Sequence, residues 1–211
     1  MAVTRQTLAD AAGACARTDP VLRALIARHG TPPARPHVPA PQRFAELARA
    51  IVYQQLAGKA ASTIHGRFVE AVGGTVTPGA VLAAPPEVLA ASGLSRAKAT
   101  GICDLAEMVV SGQVALDRIG RLADEAVIEH LVQVRGIGRW TAEMFLIGPL
   151  GRLDVWPVGD YGVRAGYALG WGLPEIPTPD QLVDLGERYR PYRSVVAWYC
   201  WRAVDDRNAA R

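Results

Sequence analysis

Two short stretches concentrate residue types that could do chemistry. The first is "VRGIGRWTAEMF" (134–145) and the second is "DVWPVGDYGVR" (154–164). In the first, two glycines interrupt a helical pattern and a large Trp140 follows at once. Glycines in such a turn reach backbone angles closed to other residues and leave the turn without covering side chains. The helix that restarts presents unpaired N–H groups, and amides at a helix N-terminus attract anions. A DNA phosphate suits that site without any base specificity. Val134 and Ile137 are placed to anchor the turn in the core. In the second stretch Asp160 precedes a predicted helix, where the macrodipole favours the carboxylate anion. Taken singly, each feature has an ordinary reading: a glycine-capped helix connection, a tryptophan packing two helices, and an aspartate N-cap.

The elements that must position these residues are helical. "TRQTLADAAGACART" and "DPVLRALIARHG" predict two helices, the second started by Asp19-Pro20 and stopped by Gly30. "TPPARPHVPAPQ" is too rich in proline for a helix and reads as an extended connector. Beyond it, "RFAELARAIVYQQLAG", "KAASTIHGRFVEAVG" and "SRAKATGICDLAEMVVSG" carry helical periodicity, with two short helical turns in "TPGAVLAAPPEVLAASGL". "ADEAVIEHLVQV" leads into the glycine turn and "RWTAEMFLIG" leads out of it. "YGVRAGYALGWG", "TPDQLVDLGERY" and "SVVAWYCWRAVDD" close the chain as helices. No long alternating strand pattern occurs. The expected fold is all-α, roughly ten helices in two lobes, with the ligand site expected in a cleft between the lobes. The expected division is an N-terminal helical arm over 1–41 packing with the C-terminal lobe, a central lobe over 42–122, and a hairpin and catalytic lobe over 123–211.

Bulk properties narrow the classes. The 211 residues suffice for a sizeable core. A net charge of +3 permits a polyanionic partner without arguing for one. Cys15, Cys103 and Cys200 are widely spaced, which fits a reducing cytoplasm better than a disulfide framework. No pair has C-x-x-C spacing, so a four-cysteine iron–sulfur cluster cannot be built. No apolar run is long enough to cross a bilayer, so no membrane partner is expected.

Taken together, "VRGIGRWTAEMF" and "DVWPVGDYGVR" resemble the helix-hairpin-helix DNA glycosylases, in particular the alkylated-purine branch of the 3-methyladenine DNA glycosylase II type. "RAIVYQQLAGKAASTIHGRF" resembles the helix pair that carries this family's DNA-wedging loop. "GLSRAKATGICDLA" resembles its second, smaller hairpin, and "RPYRSVVAWYCWRA" its last helix. The resemblance covers about residues 42–205. The expected form lacks the β-rich N-terminal domain of the family's larger members, for which this stretch is short and helical at its start.

The resemblance implies a catalytic carboxylate at Asp160. Breaking an N-glycosidic bond builds positive charge on the sugar, and a fixed carboxylate stabilises that charge and orients or deprotonates the attacking water. Asp154 is the runner-up, better placed to tie down the "DVWP" loop. The base must leave the duplex before it is cut. Trp140 matches the family's pocket tryptophan and Trp201 a second pocket aromatic, with Tyr161 a further wall. A cationic alkylated purine suits such walls, through stacking and cation–π attraction. Met144 departs from the family pattern, which often has an aromatic there, so the shape of the pocket stays open. Leu56 matches the residue that wedges into the minor groove, and Gln55, with Gln54 before it, stands ready to bond at the gap. Phosphate contacts are expected at the amides of Gly136, Gly138 and Arg139. The resemblance also implies a structural monovalent cation, Na+ or K+, on the carbonyls of Val132, Val134 and Ile137.

The family's glycosylase/lyases carry a lysine where this chain has Trp140. The only lysines here are Lys59 and Lys98, in other segments. Simple hydrolysis without a Schiff base is therefore expected, with no required cofactor and no iron–sulfur cluster. The expected partner is double-stranded DNA containing damaged bases, and the expected state is a cytoplasmic monomer. Two rivals stay open at this point: a non-catalytic helix-hairpin-helix DNA-binding module, and a glycosylase for another damaged base.

Overall fold

A computed structural model describes residues 3–34 and 37–210, so the middle of the proline-rich connector lies outside the described residues. Among the described residues, twelve α-helices and two 3-10 turns account for the regular structure and no strand occurs. The all-α expectation holds. The helices are α1 (Arg5–Ala16), α2 (Pro20–His29), α3 (Arg43–Tyr53), α4 (Gly58–Ala71), α5 (Pro78–Ala83), α6 (Pro86–Ala91), α7 (Arg96–Val110), α8 (Asp124–Leu131), α9 (Arg139–Ile147), α10 (Tyr161–Trp171), α11 (Pro179–Glu187) and α12 (Arg193–Ala209). No described helix is long and apolar enough to cross a membrane.

The chain divides into two compact units: residues 38–145, and residues 1–37 together with 146–211. In the unit over 38–145, α3 packs on α4 and α7, and α5 packs on α7. The apolar face of α3, with Phe44, Leu47, Ile51 and Val52, is fully buried. Burying such side chains contributes roughly 1.5–3 kcal/mol each before entropy is counted. The glycine turn between α8 and α9 belongs to this unit.

In the other unit, α10 and α12 form the central pair, and α1 and α2 pack against α12. A Cβ on Gly166 would overlap the backbone carbonyl of Cys200, so the two helices can cross this closely only with glycine there. Asp19 ties the arm to the rest. It caps α2 by accepting from the amides of Val21 (2.8 Å) and Leu22 (3.2 Å). Its other oxygen accepts from Trp171 Nε1 (2.9 Å), Arg188 Nη2 (2.7 Å) and Tyr189 Oη (2.7 Å). Burial by itself would raise this carboxyl. The hydrogen bonds from Tyr189, Trp171, Leu22 and Val21 outweigh it and hold Asp19 below its ordinary value.

Candidate active site

Asp160 stands where the irregular "DVWPVGD" segment becomes α10. It is the N-cap of that helix, and its Oδ1 accepts from the Val163 amide at 2.8 Å. The same oxygen accepts from Trp201 Nε1, on α12, at 3.2 Å. Gly162 makes this approach feasible: a Cβ there would lie 3.0 Å from both Asp160 Oδ1 and Trp201 Cδ1. The carboxylate thus sits at the positive end of a helix dipole, with the N–H groups of Val163 and Trp201 among the donors that hold it. Its field reaches the interior. The buried Cys200 thiol is pushed well above its ordinary range, first by burial and then by the charge on Asp160.

Tyr161, the next residue, is 61% exposed. The Arg164 guanidinium lies 5.9 Å from its ring centroid and donates to the Pro177 carbonyl. Trp156 is buried and donates to the Leu182 carbonyl at 2.7 Å, so it is a core residue. Asp154 is held quite differently. Arg193 contacts it through Nε (2.7 Å) and Nη2 (3.1 Å), and Arg190 through Nη1 (2.9 Å).

The second group of residues lies in the unit over 38–145. Val134 and Ile137 are buried and anchor the turn that joins α8 to α9. The Val134 amide donates to the Leu131 carbonyl, and the Ile137 amide to that of Val134. Gly136 takes a φ of +81°, which favours glycine. Gly138 does not share that need: its φ is ordinary and a Cβ would meet nothing within 4 Å. The expectation that both glycines serve backbone freedom therefore applies to Gly136 alone. What Gly138 supplies is an exposed, uncovered start to α9.

On α9, Trp140 is 48% exposed, and Met144 lies one turn further along, half-buried. The Arg139 side chain is bidentate to Glu125 (2.7 and 2.8 Å) and reaches Glu143 (3.2 Å). Its hydrogen bonds to Arg139 lower the Glu125 carboxyl. The exposed guanidinium is thus engaged by two carboxylates of its own unit.

Between α3 and α4, Leu56 is 37% exposed and Gln55 is exposed in a left-handed conformation, φ +56°. An uncommon angle for a side-chain-bearing residue marks a loop held by its surroundings. Sequence reasoning missed what holds it. Lys98, on α7, donates to the carbonyls of Val52 and Gln54, and the Gln54 side chain turns toward the glycine turn. The available signal was the run "KATGICD", which places Lys98, Gly101 and Asp104 at spacings of three on one helix face. Among the described residues, no group of three or more His, Cys, Asp or Glu could hold a metal ion.

This combination, an all-helical fold with a glycine turn between two helices and a helix-capping carboxylate, defines the class. Residues 48–191 match the model of the HhH-GPD superfamily base excision DNA repair protein. The chain belongs to that superfamily. It is 39% identical over 162 residues to DNA-3-methyladenine glycosylase 1 of Schizosaccharomyces pombe, covering 75% of this chain and 71% of that protein. The solved structure of the Schizosaccharomyces pombe 3-methyladenine DNA glycosylase in complex with abasic DNA superposes with a TM-score of 0.80 at 35% identity, over 92% of this chain and 95% of that one. A DNA-3-methyladenine glycosidase of Bacillus halodurans gives a TM-score of 0.84 at 32% identity, over 99% and 94% of the two chains.

Proposed function

We propose that this chain is a monofunctional DNA glycosylase that releases alkylated purines of the 3-methyladenine type from double-stranded DNA, opening base excision repair. The observation that carries the reading is the Asp160 carboxylate, fixed at the N-terminus of α10 by Val163 N–H and Trp201 Nε1–H. Family membership and the names of the relatives support it.

In this reading the damaged base leaves the stack and Trp140 stacks on it, with Met144 beside it. A purine made cationic by alkylation is already a good leaving group. As its bond to the sugar lengthens, positive charge grows on the anomeric carbon, and the Asp160 carboxylate stabilises it. The same carboxylate orients the attacking water and takes its proton. Trp201 holds the carboxylate, and Tyr161 flanks it. Leu56 fills the space left by the base, with Gln55 bonding at the gap. The amides of Gly136, Gly138 and Arg139 take a phosphate.

Trp140 occupies the position of the lyase lysine, and the Lys98 ammonium is hydrogen-bonded to two carbonyls. Hydrolysis without a covalent intermediate follows. In this reading no cofactor is required, and three widely spaced cysteines argue against an iron–sulfur cluster. The carbonyls of Val132, Val134 and Ile137 are oxygen donors grouped in one turn, and they are assigned a structural Na+ or K+. The protein acts as a monomer in the cytoplasm.

The test is base release from methylated DNA by wild type and Asp160→Asn, alongside DNA binding. Release of 3-methyladenine by wild type, with loss in a variant that still binds, supports the reading. Equal release by both refutes the mechanism. Binding by both with no release of any damaged base makes the chain a DNA-binding module instead.

A further inference from the structure

In the unit over 38–145, the loop bearing Gln55 and Leu56 and the turn bearing Gly136 are joined by side chains rather than by chain connectivity. Gln54 Nε2 donates to the Gly136 carbonyl at 2.8 Å and to Thr141 Oγ1 at 3.2 Å. Lys98 Nζ donates to the Val52 carbonyl (2.7 Å) and the Gln54 carbonyl (2.8 Å). A cation on carbonyls at the end of α3 also meets the negative end of that helix dipole. The loop's own backbone bonds are long, 3.4 Å for both Gln54 N to Ile51 O and Leu56 N to Tyr53 O. With Gln55 at positive φ, the loop depends on these outside ties.

Helix α7 holds the turn as well. Three residues beyond Lys98, Gly101 faces the Arg135 carbonyl so closely that a Cβ would lie 2.6 Å from it. Three residues further, Asp104 Oδ2 accepts from the Arg135 amide at 2.7 Å. One face of one helix thus fastens the loop at one end and the turn at the other, and Gln54 closes the bracket between them.

We propose that Lys98, Gly101 and Asp104 on α7, with Gln54, are positioning residues that form a rigid strut. The strut ties phosphate capture by the glycine turn to insertion of Leu56. This rests on the reading of those two elements as DNA contacts. It assigns Gln54 to holding the loop rather than to the gap in the DNA, and Lys98 to carbonyls rather than to a phosphate.

The test uses a duplex carrying 2-aminopurine beside an abasic-site analogue, whose fluorescence rises when the neighbouring step is unstacked. Gln54→Leu and Lys98→Met are compared with wild type, with Leu56→Ala as the wedge control and Lys98→Arg as the conservative variant. Gln54→Leu and Lys98→Met should lose most of the fluorescence rise. They should also lower kcat for base release about ten- to a hundredfold, the scale expected of a misplaced group. Affinity for undamaged duplex and its salt dependence should stay at wild-type levels, and Lys98→Arg should recover part of the loss. A wild-type fluorescence rise in both strut variants, while Leu56→Ala loses it, overturns the strut and leaves the wedge standing. A parallel fall in undamaged-duplex binding also overturns it, since the defect is then a general loss of structure. A shallower salt dependence in Lys98→Met, by about one counterion, makes Lys98 a phosphate contact instead. If Leu56→Ala itself keeps the rise, the wedge assignment fails and the strut fails with it.

Discussion

Asp154 and Asp160 stand at the two ends of one irregular segment, yet different donors meet them. Asp154 is clamped by the guanidinium groups of Arg190 and Arg193. Among the groups that hold Asp160 are a backbone N–H and an indole N–H. A guanidinium clamp fixes a carboxylate by cancelling its charge, which makes a good rivet and a poor catalyst. Neutral N–H donors fix a carboxylate's position and leave its charge to act on a growing cation. Asp19 is a third case: buried, five times hydrogen-bonded, and wholly occupied in joining α2 to Trp171, Arg188 and Tyr189.

The contrast can be broken by substitution, and the largest effect belongs to Asp160. Asp160→Asn keeps the cap acceptor and removes the charge. It should lower kcat for base release about 10²- to 10⁴-fold with little change in thermal stability, as read by base release and a melting curve. If Asp154→Asn abolishes release and Asp160→Asn does not, the roles of the two aspartates are reversed.

Asp19→Ala should act on stability instead. It removes the acceptor of the buried Tyr189 hydroxyl, the half-buried Trp171 indole and the exposed Arg188, at a cost of about 1–3 kcal/mol in denaturant unfolding. Because the folded Asp19 carboxyl lies below its ordinary 3.8, its contribution is present above that value and is lost as pH falls through the lower folded one. The gap in stability between wild type and Asp19→Ala should therefore be full at neutral pH and narrow under strongly acidic conditions.

Trp201→Phe sharpens the comparison further. It keeps an aromatic wall and deletes the N–H on Asp160. If the indole serves as a donor, kcat falls about ten- to a hundredfold, matching the loss of a hydrogen bond to a charged group. A variant with wild-type kcat would make Trp201 a wall only. The smallest effect is expected from Asp154→Asn, about 1 kcal/mol of stability and near-wild-type base release, since it loosens a partly exposed ion-pair network.

Much of this site was legible in the sequence because much of it is local. Asp160 binds the amide three residues on, Gly136 needs its own backbone angle, and Asp19-Pro20 starts α2 by itself. Trp140 and Tyr161 were singled out as residue types, and the structure places both in solvent's reach. Reading both turn glycines as needing special backbone angles went too far, because a glycine in a turn does not reveal its φ until the turn is built.

By itself, then, the sequence determined most of the helices, the Asp19 and Asp160 caps and the position of the turn, all set by neighbours within about one helical turn. Tertiary structure alone decided which distant groups each aspartate meets. Trp201 meets Asp160 across 41 residues, Asp104 meets Arg135 across 31, and Gln54 meets Gly136 across 82. Contacts at such separations depend on how closely helices approach, and that is set by where a Cβ is missing, as at Gly101, Gly162 and Gly166. No periodicity along the chain encodes that distance, because it exists only between two packed surfaces.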